Sequence, residues 1–279
     1  MDLASWTPIG TVAASTAFYH ALSRLLTSSD TSPSRRAAVN KGISAGHAAV
    51  TAILALHAVA STSRRQEGAR NHEEKPSHGS EWLDDSRNPL IQERDHLSNT
   101  LTAWEAGYLI YDTLALVLLE NGGSYLTGGY SRILDSITKA FQRSPAFMIH
   151  HILLASGLVY LQTYIAKQQE KGIRIITALI LMNASTPLLH ARWWARKTGT
   201  PTGTLDVAFV AVFAASRFGP IWWVMQEYGR YHGMSAMEAW KWLRRPCRAG
   251  MVGLFGMNAI WWAMLVKGLL IRNQRLRKG

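Results

Sequence analysis

Hydrophobic positions in this chain come in long blocks, not in the alternation of a half-buried strand or the narrow stripe of a soluble helix. Seven runs of about 17 to 23 residues are predominantly apolar: Pro8 to Leu26, Gly42 to Ala60, Leu101 to Leu119, Pro145 to Ala166, Ile173 to His190, Leu205 to Met225 and Ala249 to Ile271. At about 1.5 Å rise per residue, a helix of that length crosses most of a ~30 Å hydrocarbon core. The pattern therefore predicts an all-α fold, a polytopic transmembrane helical bundle of about seven spans. Residues 1–39 hold the first span and a connector, 40–271 form the main transmembrane domain with a polar loop at 61–99, and 272–279 are a basic tail.

Polar residues inside the apolar runs are the informative exceptions, because an ionisable side chain at membrane depth is expensive and normally faces a bundle interior or a water-filled cavity. In the third run Glu105, Tyr108 and Asp112 recur at helical spacing and share one face, which should point inward. The fourth run carries adjacent histidines, His150 and His151. Neighbouring helical positions point about 100 degrees apart, so this is not the i,i+4 pairing of a helical zinc motif, and no metal is expected. The fifth run places Asn183, Pro187 and His190 on one face, with a proline kink whose freed carbonyl neighbouring hydroxyls can satisfy. The sixth sets Arg217 deep in apolar sequence, where it needs a carboxylate such as Asp112, backbone carbonyls or an anionic ligand. The second offers a small-residue face, Gly42, Gly46 and Ala49, suited to close helix approach and to a homodimer contact, with His47 beside it.

Composition changes this picture little. The chain has 279 residues, 48% hydrophobic, and a formal charge of +12. Its Lys and Arg sit at the ends of apolar runs, as at Arg192, Arg196 and Lys197, where they anchor to headgroups; no nucleic-acid partner is expected. The single cysteine, Cys247, excludes an internal disulfide and a cysteine metal cluster. No cleavable signal peptide is expected, since the first run lacks a basic flank. The basic tail, against a start without Lys or Arg, predicts the N-terminus outside and the C-terminus in the cytosol. The loop at 61–99 reads as solvated and partly disordered, with His72, Glu73, Glu74 and His78 matching no metal spacing. Residues 133–144 and 235–246 read as short amphipathic segments at the membrane surface.

Four stretches together resemble the TRAM/LAG1/CLN8 (TLC) family of endoplasmic-reticulum membrane proteins: GHA at Gly46 to Ala48, WEAGYLIYD at Trp104 to Asp112, MIHH at Met148 to His151, and NASTPLLHARWW at Asn183 to Trp194. The likeness is to the subgroup of small TLC-domain proteins more than to the ceramide synthases, whose acidic segment some thirty residues after the histidine pair is replaced here by Met182 to Thr186. The resemblance implies that His150 and His151 line a lipid-accessible cavity.

Three functions follow as expectations. In acyl transfer of the ceramide-synthase kind, His150, His151 and Asp112 are catalytic, Arg217, Asn183, Glu105 and His190 contact substrate, and acyl-CoA is the co-substrate with no tightly bound cofactor. A non-catalytic protein would bind membrane lipids and regulate their composition. A membrane terpene cyclase would use Glu105 and Asp112 as acids on an isoprenoid substrate, with aromatic faces shielding carbocations.

Overall fold

The computed structural model describes residues 7–27, 32–70, 85–120 and 130–276. Among these the regular elements are helices: α1 (Thr7–Leu26), α2 (Pro33–Arg70), α3 (Pro89–Gln92), α4 (His96–Glu120), α5 (Tyr130–Arg143), α6 (Pro145–Ala166), α7 (Ile173–Ile180), a 3₁₀ segment (Leu181–Ser185), α8 (Thr186–Lys197), α9 (Gly203–Tyr231), α10 (Ala236–Trp242) and α11 (Arg245–Leu276). Every apolar run lies in this series, and the chain is all-α.

Among the described residues five stretches are long and apolar enough to cross a membrane: Ser34–Ser61, Pro145–Ala166, Ile173–Lys197, Gly203–Tyr231 and Arg245–Arg272. The two remaining runs lie in α1 and α4, of 20 and 25 residues, whose polar side chains dilute their hydropathy, so a count of seven is not established. Side chains turned outward are those of a lipid-facing surface. Ile149, Leu153 and Tyr160 on α6 are exposed, as are Phe255, Ile260 and Met264 on α11. In water such faces would be an aggregation hazard; in hydrocarbon they are solvated.

The polar loop is shorter than its composition indicates. α2 continues to Arg70, α3 is capped by the Asn88 side chain accepting from Leu90 N–H, and α4 begins at His96. His72, Glu73, Glu74 and His78 lie outside the described residues. The stretch 133–144 is taken up by α5, and α10, within 235–246, opens on a capping box between Ser235 and Glu238.

The chain divides into two compact units. The first comprises residues 1–47 and 96–170: α1, the start of α2, α4, α5 and α6. Here α1 packs along α4, and α4 against α6. The close approach comes from Gly107, where a Cβ would fall 2.5 Å from the Val12 carbonyl oxygen and 2.6 Å from Ser15 Cβ. Hydroxyls bind the two helices, Ser15 donating to the Trp104 carbonyl at 2.9 Å and Thr16 to that of Gly107 at 3.1 Å. Within the chain the glycine face of α2 makes no such approach: Gly42 and Gly46 are exposed with open space beside them, and the packed face of that helix carries Ile43 and His47.

The second unit comprises residues 48–95 and 171–279, with α9 packed against the 3₁₀ segment, α7, α8, α10 and α11. Its core gathers Leu90, Ala178, Val224, Met225 and Tyr228. The fifth run is broken as its proline requires. Pro187 has no N–H to give the Asn183 carbonyl; the Thr186 N–H takes that acceptor, tightening the turn to 3₁₀ geometry ahead of α8. Asn183 thus lies in the 3₁₀ segment while Pro187 and His190 lie on α8, and the single face predicted from α-helical spacing does not hold across the break.

Candidate functional site

The first unit buries the polar face of α4. Glu105, Tyr108 and Asp112 are each less than 10% exposed. Glu105 Oε2 lies 2.9 Å from His47 Nε2, and the other ring nitrogen, Nδ1, lies 2.7 Å from the Tyr19 hydroxyl. Tyr19 in turn accepts from the Trp104 indole N–H at 2.6 Å. An indole can only donate, which leaves the Tyr19 proton for His47 Nδ1; with Glu105 ionised, Nε2 then carries the imidazole proton. The network so ordered runs Trp104 to Tyr19 to His47 to Glu105. The Tyr108 ring stacks on His47 with centroids 3.7 Å apart and Tyr19 meets it edge-on, while both tyrosines pack with Ile43 and Tyr111.

One to two turns further along α4, Asp112 forms a second polar group. Its Oδ1 accepts from Asn40 Nδ2 at 3.1 Å, and Asn40 Oδ1 accepts from the Tyr111 hydroxyl at 2.9 Å. Its Oδ2 lies 3.6 Å from His151 Nδ1, a contact of charge and dipole longer than a hydrogen bond. His151 is buried under Phe147, with ring centroids 3.9 Å apart.

Of the residues singled out from sequence, Glu105, Asp112 and His151 therefore come together. His150 does not join them: it is half-buried and its ring lies 6.0 Å from that of His151, as the 100-degree step between adjacent positions demands. The others belong to the second unit. Arg217 is half-buried with its guanidinium 5.2 Å above the Phe213 ring, Asn183 donates to Thr51 at 3.5 Å, and His190 is half-buried on α8. Sequence reasoning passed over His47, Tyr19 and Trp104 as site residues. His47 had one signal, a histidine inside an apolar run on the flank of Ile43; its partner Glu105 lies 58 positions away, beyond any local pattern.

The arrangement places two carboxylate–imidazole contacts in an apolar, aromatic-lined interior, which suits proton transfer and the orientation of a polar group delivered from the bilayer. Among the described residues no group of three or more His, Cys, Asp or Glu is placed to hold a metal.

No curated protein and no solved structure matches the chain. The model of the TRAM/LAG1/CLN8 TLC domain matches residues 38–267, which include His47, the whole of α4 and α6, and the broken helix at Pro187. The chain is an integral membrane protein and belongs to the TLC-domain family.

Proposed function

We propose that this protein is a lipid-transforming enzyme of the endoplasmic-reticulum membrane that transfers an acyl group, with His151 as general base and Asp112 as its positioning residue. One observation carries the reading: a buried histidine and a buried carboxylate from different helices face one another, on the Nδ1 side of the ring, inside an apolar bundle. Asp112 on that side favours the tautomer with Nδ1–H and leaves Nε2 to accept a proton. As an amine or hydroxyl of the acceptor lipid attacks the thioester carbonyl of acyl-CoA, a C–N or C–O bond forms, its proton passes to His151, and the C–S bond breaks. The departing thiolate then takes that proton, and nothing is oxidised or reduced. His47, held by Glu105 and Tyr19, keeps the neighbouring field fixed. The orientation proposed is C-terminus in the cytosol, supported by four Lys or Arg in residues 272–279 against none before the first span.

The test is lipid analysis of a deletion strain complemented with variants. His151→Ala and Asp112→Asn should lower the affected lipid product by about 10²-fold or more, and His150→Ala by much less. Full restoration by His151→Ala, with the protein present at wild-type level, defeats the reading.

A second reading, a non-catalytic lipid-binding regulator, draws on the way Asn40 and His47, themselves held by Tyr111 and Tyr19, already bond the two carboxylates. Rescue by His151→Ala together with failure of Tyr19→Phe would favour it. Isoprenoid cyclisation draws on the rings around Glu105 and differs by a cyclised product.

A further inference from the structure

The second unit holds a charged cluster that the proposed chemistry does not use. Asp206, in the first turn of α9, is 2% exposed and gathers three arginines. Its Oδ1 accepts from Arg192 Nε at 2.6 Å and from Arg196 Nη2 at 2.9 Å, while Oδ2 pairs with Arg272 and accepts from the Thr202 hydroxyl at 2.8 Å. Arg272 also donates to Thr202 at 2.5 Å. Arg192 and Arg196 come from the last two turns of α8, Arg272 from the C-terminal part of α11 and the carboxylate from the start of α9.

Three guanidiniums against a single carboxylate leave about two positive charges in excess, and up to about fifteen N–H donors against some four carboxylate lone-pair directions. That surplus faces outward: the Arg196 and Arg272 side chains are 54% and 39% exposed, whereas Arg192 is 11% exposed and held over the Phe209 ring at 4.3 Å. Lys197 adds a further cation beside Trp193, an aromatic of the kind that sits at the headgroup level. A buried carboxylate that fixes guanidinium forks at the end of a membrane bundle is a pre-organised receptor for a tetrahedral oxyanion, since planar forks bind phosphate oxygens in a bidentate manner.

We infer that Arg192, Arg196 and Arg272, ordered by Asp206 and Thr202, form a binding site for a phosphate monoester at the membrane surface, carried either by a phospholipid headgroup or by a soluble nucleotide such as the phosphorylated ribose of coenzyme A. The site stands whether or not the protein transfers acyl groups.

The full chain is purified and placed in bilayer discs of phosphatidylcholine alone or with phosphatidic acid, and in a separate arm phosphatidylcholine discs receive adenosine 3′,5′-bisphosphate at fixed ionic strength. Retained lipid is counted by native mass spectrometry and bisphosphate binding by calorimetry. At least one ligand should bind about tenfold or more tightly than neutral lipid or chloride, and Arg196→Gln with Arg272→Gln should remove that preference. Arg230→Gln, which deletes an equally exposed cation at the opposite end of α9, should keep it. Preference for phosphatidic acid alone identifies a lipid source, and for the bisphosphate alone a soluble one. Absence of both preferences in the wild-type protein overturns the inference even if the double variant does not fold, as does equal loss in Arg230→Gln.

Discussion

At the scale of single residues, the Tyr19 hydroxyl has the most to lose, because it serves two neighbours at once: it accepts from Trp104 and donates to His47. Tyr19→Phe strips partners from two groups in an apolar interior, and a buried donor or acceptor left unmade costs about 1–3 kcal/mol. The variant should unfold at lower temperature than wild type in bilayer discs, whereas Tyr160→Phe, on an exposed pair with Tyr164, should not. Asp85, outside the spans, supplies a pH-dependent contribution. Burial pushes its carboxyl up, but hydrogen bonds from His232 and Asn88, the neighbouring His232 itself and the Tyr228 hydroxyl outweigh that and hold it below the ordinary carboxylate range. A carboxyl depressed on folding stabilises above its unfolded value and loses that contribution as pH falls through the folded one. The gap in melting temperature between wild type and Asp85→Asn should therefore be constant near neutrality and close as pH drops below about 4. A gap that widens in acid would contradict the assignment. The residues legible in advance were those with a local signature: Glu105, Tyr108 and Asp112 share a face by spacing alone. His47 as partner of Glu105 was not legible, since that pairing is made by tertiary packing and leaves no periodic trace.

At the scale of elements, the seam between α1 and α4 depends on the absence of a side chain at position 107. Gly107→Ala would put a methyl group against the Val12 backbone and Ser15, forcing the helices apart, with a destabilisation of about 1–3 kcal/mol. Gly46→Ala, in open space, should match or exceed wild type, because alanine is the better helix former. Thermal unfolding of the two variants side by side separates the cases. A sequence shows both glycines in apolar helices, and only packing distinguishes the buried seam from the open face. The proline in the fifth run was different: its missing N–H is a local fact, so a disturbance was legible at Pro187, though not that it would appear as a 3₁₀ segment preceding the residue.

At the scale of the whole molecule, the block pattern of apolar residues is what made the all-helical membrane class legible, since backbone polar groups in hydrocarbon must be satisfied within the segment. The number of crossings was less legible, because the polar side chains of α1 and α4 leave both helices short of the apolar character of a membrane span. The protein should stay with membranes through high salt and alkaline carbonate and leave them only in detergent; release by carbonate would contradict the membrane assignment.

The last helix carries one more consequence. Its apolar stretch runs from Arg245 to Arg272, 28 residues with only 6% of its window covered by the rest of the chain. At about 1.5 Å per residue that is roughly 40 Å from one arginine to the other, against a hydrocarbon thickness near 30 Å. Arg272 is held by Asp206, but little of the rest is covered, so the surplus must be taken up by tilt and by the reach of Arg245. Its inclination should follow the thickness of the host bilayer, steeper in thin and shallower in thick, making α11 the part of the molecule most responsive to acyl-chain length.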